Sequence, residues 1–349
     1  MYLPSAAIPV PVQKYPLRLR RNPFARGAKW QNWPVSNDRP ELRVGVCAGT
    51  VVTKHTWDVA SQIEALTGVP IELVTVRVAR DIQAYTEDNL VGAMRQALRN
   101  GLCDLVVHCL DEVPVGANPD LVYVTPARGS VKEALCTPTG LRLAELPAGS
   151  RVSVDTELRA AGLRALRPDV EVVMTHGSLA HRINQLFLPG SDLDAALASY
   201  ADLLTIGRTE LVTQVMEPVE FPPMAGQGAI AIETRADYLA ANPWLARALA
   251  RMDDLPTRLG VRAERALLEA LAGKLDAPIG AWGRVADGQL ALGAAVVGDS
   301  QRRHRGFAPL PQLTHDAGAP DLTATDRAEL DQIADDLGRE VAEQLLNLG

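Results

Sequence analysis

Leu105-Val106-Val107-His108-Cys109-Leu110-Asp111-Glu112-Val113-Pro114 opens as a short apolar run and ends in a cluster of polar residues. A run of this length and branching reads as a buried strand, with the polar cluster at its C-terminal end. Outward from it, similar runs occupy 42–48, 71–76 and 121–125, and the stretches 56–66 and 88–99 between them carry helical spacing. Strands alternating with amphipathic helices predict a parallel sheet covered by helices. A second series follows, with strands over 151–154, 170–174 and 203–206, one helix ending near Leu166 and another over 178–188. Two doubly wound domains are therefore expected. Beyond a helix over 256–272, runs at 281–285, 289–297 and 303–308 flank Asp287-Gly288. They predict an antiparallel three-stranded meander, closed by a helix over 324–348. In doubly wound sheets, ligands bind at the C-terminal strand ends, beside helix N-termini that attract anions. Residues 47–50, 108–112, 155–159 and 176–182 all fall at such ends, which predicts a site between two lobes.

At 349 residues the chain is long enough for two or three domains. A net charge of -7 without a long Lys/Arg run argues against nucleic acid or an anionic membrane as partner. A small-molecule substrate is the expected partner. No apolar stretch approaches the ~18 residues of a membrane span. Cys47, Cys103, Cys109 and Cys136 lack CxxC spacing, and the start has no apolar run followed by a small-residue cleavage site. A cytoplasmic location with reduced thiols is expected. Neither an HExxH pair nor a zinc-type cysteine pattern occurs, so no metal ion is expected. Gly226-Gln227-Gly228 is not a dinucleotide fingerprint, because it lacks the third glycine and precedes its strand.

Residues 1–41 are rich in proline and carry Arg18, Arg20, Arg21 and Arg26 with Phe24, Trp30 and Trp33. They are expected to form an N-terminal extension. Two readings stand: a mobile tail, or an arm packed over its own cleft or a neighbouring subunit, since exposed tryptophans are unfavourable in water.

Four stretches carry a family resemblance. They are Ala225-Gly226-Gln227-Gly228-Ala229-Ile230-Ala231-Ile232-Glu233 with Arg235; Arg262 to Leu268; Val107 to Pro114; and residues 152–186 with Leu166-Arg167-Pro168-Asp169, Gly177 and Arg182. Together, in order from about residue 42 to about residue 300, they resemble hydroxymethylbilane synthase, also called porphobilinogen deaminase. The resemblance implies an α/β fold of two doubly wound, periplasmic-binding-protein-like domains joined by a double hinge. A small α+β C-terminal domain with an antiparallel three-stranded sheet completes it. Residues 42–123 plus 226–252 would form domain 1, 124–225 domain 2 and 256–349 domain 3.

Departures from the family are as informative. Gly273-Lys274-Leu275-Asp276-Ala277-Pro278-Ile279-Gly280 resembles the family's Gly-Gly-Cys-Gln-Val-Pro-Ile-Gly loop, whose cysteine holds a dipyrromethane primer. Leu275 has no nucleophilic atom, so no dipyrromethane cofactor is expected. Glu112 stands where the family has an aspartate that assists loss of ammonia, one methylene or about 1.5 Å longer in reach. Asp111 replaces the neighbouring lysine, and two adjacent acids facing a cleft would let one serve as a general acid; a solvated acidic turn is the alternative. The family's carboxylate-binding arginines are depleted: the resemblance sets Cys47, Leu158, His176 and, with less certain spacing, Glu210 at four of their positions. Arg159 and Arg182 are retained, and Arg128 with Lys132 is a partial substitute.

The candidate catalytic residues are thus Glu112, Asp111 and His176; the candidate substrate-binding residues are Arg159, Arg182, Arg128, Cys47, Thr156 and Gln227. His176 reads either as an imidazole that donates or transfers a proton or as a structural histidine, and His108 as scaffolding. Cys47 and Cys109 are either replacement nucleophiles or ordinary buried thiols, and Lys274 is an imine former or a solvated lysine. Three functions remain open. The first is a divergent enzyme acting on a small pyrrole or amine by ammonia elimination or carbon–carbon bond formation in a specialised pathway. The others are a binding protein that closes on a small anion, and tetrapyrrole synthesis on a noncovalent primer.

Overall fold

The computed structural model describes residues 41–47, 51–76, 87–116, 118–298, 302–311 and 323–348. The expected extension over 1–41, with any self-association through it, lies outside these residues but for Glu41. Strands β1 (Leu42–Val46), β2 (Ile71–Thr75) and β3 (Leu105–Cys109) run parallel, connected through helices α1 (Val51–Thr67) and α2 (Glu87–Arg99). All five residues of β3 are buried, as a strand covered on both faces must be. After β4 (Leu121–Val124) the chain crosses to a second sheet.

That sheet repeats the plan. Its elements are β5 (Glu133–Cys136), β6 (Arg151–Val154), α3 (Glu157–Leu166), β7 (Glu171–Met174), α4 (Leu179–Leu186), β8 (Ala195–Ser199), α5 (Tyr200–Thr205) and β9 (Val212–Met216). The chain then returns to the first sheet as β10 (Ile230–Arg235), followed by α6 (Ala236–Ala241) and α7 (Pro243–Met252). Strand orders are β2-β1-β3-β10-β4 and β7-β6-β8-β5-β9. In each, three parallel strands are followed by an antiparallel strand that has just come across from the other lobe. The architecture is α/β, with two doubly wound, periplasmic-binding-protein-like lobes joined twice.

The third unit comprises α8 (Leu255–Leu271), β11 (Ile279–Ala286), β12 (Gln289–Val296), β13 (Arg302–Pro309) and α9 (Ala324–Asn347). Along α9, Leu330, Ala334, Leu337, Val341 and Leu345 recur every three or four residues and pack on Leu259, Ala263, Leu267 and Leu271 of α8. Each fully buried leucine contributes about 1.5–3 kcal/mol. The β11–β12 turn sits at Asp287-Gly288, both with positive φ (52° and 71°), the two-residue hairpin that such a dipeptide favours.

One expected strand is absent: 203–206 lies in and just after helix α5, whose first turn is fixed by the Ser199 hydroxyl accepting from the Asp202 N–H. The strand of that region is β8, immediately before it. Strands β5 and β9 were not expected. Among the described residues no helix is long and apolar enough to cross a membrane.

Candidate functional site

The two crossings run side by side. Gly129 N–H donates to Gly228 C=O (2.8 Å), the Gln227 amide donates to Val131 C=O (2.9 Å), and Arg128 Nε donates to Gln227 C=O (2.9 Å). Gly226 and Gly228 have φ of +86° and +75°. A Cβ at Gly228 would lie 2.3 Å from Ser130 O, and one at Gly226 2.9 Å from Asp111 N, so only glycine fits. The fully buried carboxylate of Glu264 accepts from Arg128 Nη1 (2.5 Å), Gly226 N–H (2.6 Å) and Gly283 N–H (2.5 Å). Arg128 is therefore committed to the hinge and the third unit, not to a ligand as expected. Gln227 is likewise used up: its amide oxygen accepts from Arg159 Nη2 (3.1 Å), which makes it a positioning residue instead of a substrate contact.

The strand ends of the second lobe hold the remaining arginines. Arg159, at the start of α3, gives Nε to both oxygens of Glu133 (3.0 Å each) and Nη1 to Asp155 (2.6 Å). Thr156 caps α3 by accepting from the Arg159 N–H (3.2 Å), so its hydroxyl serves the helix. Arg182 donates one Nη2 bond to Asp155 (2.5 Å), while its buried Nε and Nη1 have no partner among the described residues. Burial alone would raise the Asp155 pKa, but Arg159 and Arg182 hold it below the usual carboxylate range. Arg159, opposed by burial but flanked by Asp155 and Glu133, is held firmly protonated.

The first lobe presents the opposite character. Asp111 and Glu112 sit in a single 3-10 turn directly after β3. Burial lifts the Asp111 pKa to about 6, with Arg159 pulling the other way. Across the cleft, burial and then Asp111 raise Asp202 to about 7. The Cys47 thiol is pushed up by burial and by Glu112, and Cys109 by burial and Asp202. Both therefore stay protonated near neutral pH, the reverse of an activated nucleophile. Cys47 lies at the cleft edge of β1, where it is an inert thiol. His176 is exposed at the turn between β7 and α4, apart from the acids it was grouped with. Lys274 is exposed. His108 bonds Glu233 (3.2 Å), itself gripped by Arg95, as scaffolding should.

Sequence reasoning brought Asp111, Glu112, Arg159 and Arg182 to one cleft but missed Glu133, His55 and Asp202. The cue for Asp202 was Ser199 three residues before it, a helix-start spacing.

The dipyrromethane group fits poorly with these residues. Leu275 packs against the core of the third unit. Leu158, at a position the family resemblance gives to arginine, is buried against Ala295 and Val297 of that unit. Every arginine of the cleft already faces a carboxylate of the chain.

Residues 48–242 match the family described as porphobilinogen deaminase, dipyrromethane cofactor binding domain. The porphobilinogen deaminase of Leifsonia xyli subsp. xyli is 36% identical over 90% of this chain and 95% of its own length. That of Micrococcus luteus is 33% identical over 88% and 93%. Among solved structures, the methionine binding protein MetQ superposes with a TM-score of 0.37 at 14% identity, covering 60% of this chain and 96% of that one.

Proposed function

The chain belongs to the porphobilinogen deaminase family, and from that premise we propose that it transforms a small, porphobilinogen-like pyrrole or amine without a covalent dipyrromethane primer. The reaction is ammonia elimination or carbon–carbon bond formation, in a specialised pathway. One observation carries this reading: the carboxylates of the cleft, Asp111, Glu112, Glu133, Asp155 and Asp202, outnumber the cations Arg159 and Arg182. Such a surface repels a growing polycarboxylate chain and suits a substrate that carries, or develops, positive charge.

Ammonia leaves a protonated aminomethyl pyrrole with the bonding pair, and the remaining ring carries the positive charge. Glu112, beside the strand end, stabilises that cation and takes the proton that restores the neutral ring after attack by the acceptor. Asp111 supports the same charge from the same turn. The two unpartnered Arg182 nitrogens form a fork for a single substrate carboxylate, which Arg159 helps by holding Asp155 in place. An anion-binding protein without catalysis would use the same Arg182 fork but has no use for the facing acids.

The purified chain, incubated with porphobilinogen, is expected to release ammonia and consume pyrrole without forming hydroxymethylbilane. Glu112→Gln should lower turnover at least ~100-fold. The intact mass of the protein should equal that of the bare chain; a mass increment of an attached dipyrrole would refute the primer-free reading. Binding of porphobilinogen without ammonia release would favour the binding protein.

A further inference from the structure

We propose that His55, Cys109 and Asp202 form a lobe-bridging site for a divalent cation of borderline softness, Zn2+ above all. One ring nitrogen of His55, the Cys109 sulfur and an Asp202 carboxylate oxygen lie within 4.8 Å of one another. Around a tetrahedral zinc with bonds of about 2.0–2.3 Å, ligand atoms stand about 3.3–3.8 Å apart. Small side-chain rotations close that difference, since His55 and Asp202 are only half-buried.

The three donors come from three elements with fixed backbones. Cys109 ends β3 and is paired there with Ile230 of β10. Asp202 is held in the first turn of α5 by the Ser199 hydroxyl (3.3 Å). His55 lies within α1, which contacts α5 across the cleft. Among the described residues, none of the three side chains has a hydrogen bond. That is unusual for polar groups at a packed junction, and a metal would satisfy all three at once.

Imidazole, thiolate and carboxylate together select Zn2+ over the hard cations Mg2+ and Ca2+, which take oxygen ligands. Three protein ligands leave a fourth position for water or a substrate atom, the arrangement of reactive zinc sites. On binding, the cation replaces the Cys109 thiol proton, which leaves to solvent. Its charge also offsets the carboxylate surplus of the cleft. Sequence spacing gave no hint of this, since residues 55, 109 and 202 meet only through the fold; the expectation of no metal rested on contiguous motifs alone.

The full chain, freed of metal by a chelator, is titrated with Zn2+ by calorimetry and with Co2+ by absorption spectroscopy. One equivalent of each should bind, and cobalt should give a thiolate-to-metal charge-transfer band in the near ultraviolet. Cys109→Ser should abolish that band, and Asp202→Asn and His55→Gln should each weaken Zn2+ by more than about 10-fold. Circular dichroism of each metal-free variant verifies folding, and if Cys109→Ser fails to fold, His55→Gln and Asp202→Asn decide. No band in the unsubstituted chain, a band that survives Cys109→Ser, or Zn2+ affinity unchanged in both other variants overturns the site. Because no substrate is used, failure here leaves the pyrrole reading standing, and failure of porphobilinogen turnover leaves the metal site standing.

Discussion

The two lobes share one strand plan yet arm their facing ends differently. The second lobe presents arginines already matched to acids of the same lobe, Arg159 with Glu133 and Asp155, and Arg182 with Asp155. The first lobe presents Asp111, Glu112 and two thiols, and no arginine at that end. The lesson is that one topology fixes where polar residues gather but not what they do. In one lobe the acids are structural counter-ions; in the other they are uncompensated and available for chemistry.

Removing an acid from each lobe breaks or sharpens this contrast. Asp155→Asn should have the largest effect. It strips a shared counter-ion from two buried guanidiniums, and with Asp155 itself 24% exposed the loss of unfolding free energy should be about 2–4 kcal/mol by denaturant titration. Gly228→Ala, at the crossing both lobes share, should lose about 2 kcal/mol in the same assay. Its φ is unfavourable for alanine and its Cβ would meet Ser130 O. Asp111→Asn should change stability least, by no more than about 0.5 kcal/mol, or raise it, because no cation pairs with that carboxylate directly. Equal losses for Asp155→Asn and Asp111→Asn would erase the distinction between the lobes.

Much of the fold was legible in the chain. Strands such as β1, β3 and β6 and the helices α8 and α9 announce themselves by run length and periodicity. The failures are physical. In β5, Glu-Ala-Leu-Cys hides a strand behind a glutamate that is buried only because Arg159 meets it. The apolar run Leu203-Leu204 masqueraded as a strand, and with it Asp202 was lost from view.

The site was half legible for the same reason. Asp111 and Glu112 follow a strand in sequence, so position alone exposed them. The state of the arginines depends on partners far along the chain: Arg159 reads as a free cation until Glu133, in an unrecognised strand, is placed beside it. Arg128 reads as a ligand-binding residue until Glu264 of α8 claims it.

That last pairing has a bearing on how the protein is made. Arg128 leaves the ribosome more than a hundred residues before Glu264, and until α8 arrives its guanidinium has no anion to enter the hinge with. The two lobes can collapse early, but their junction must wait for the third unit to complete it, so translation order makes α8 the last stitch of the molecule.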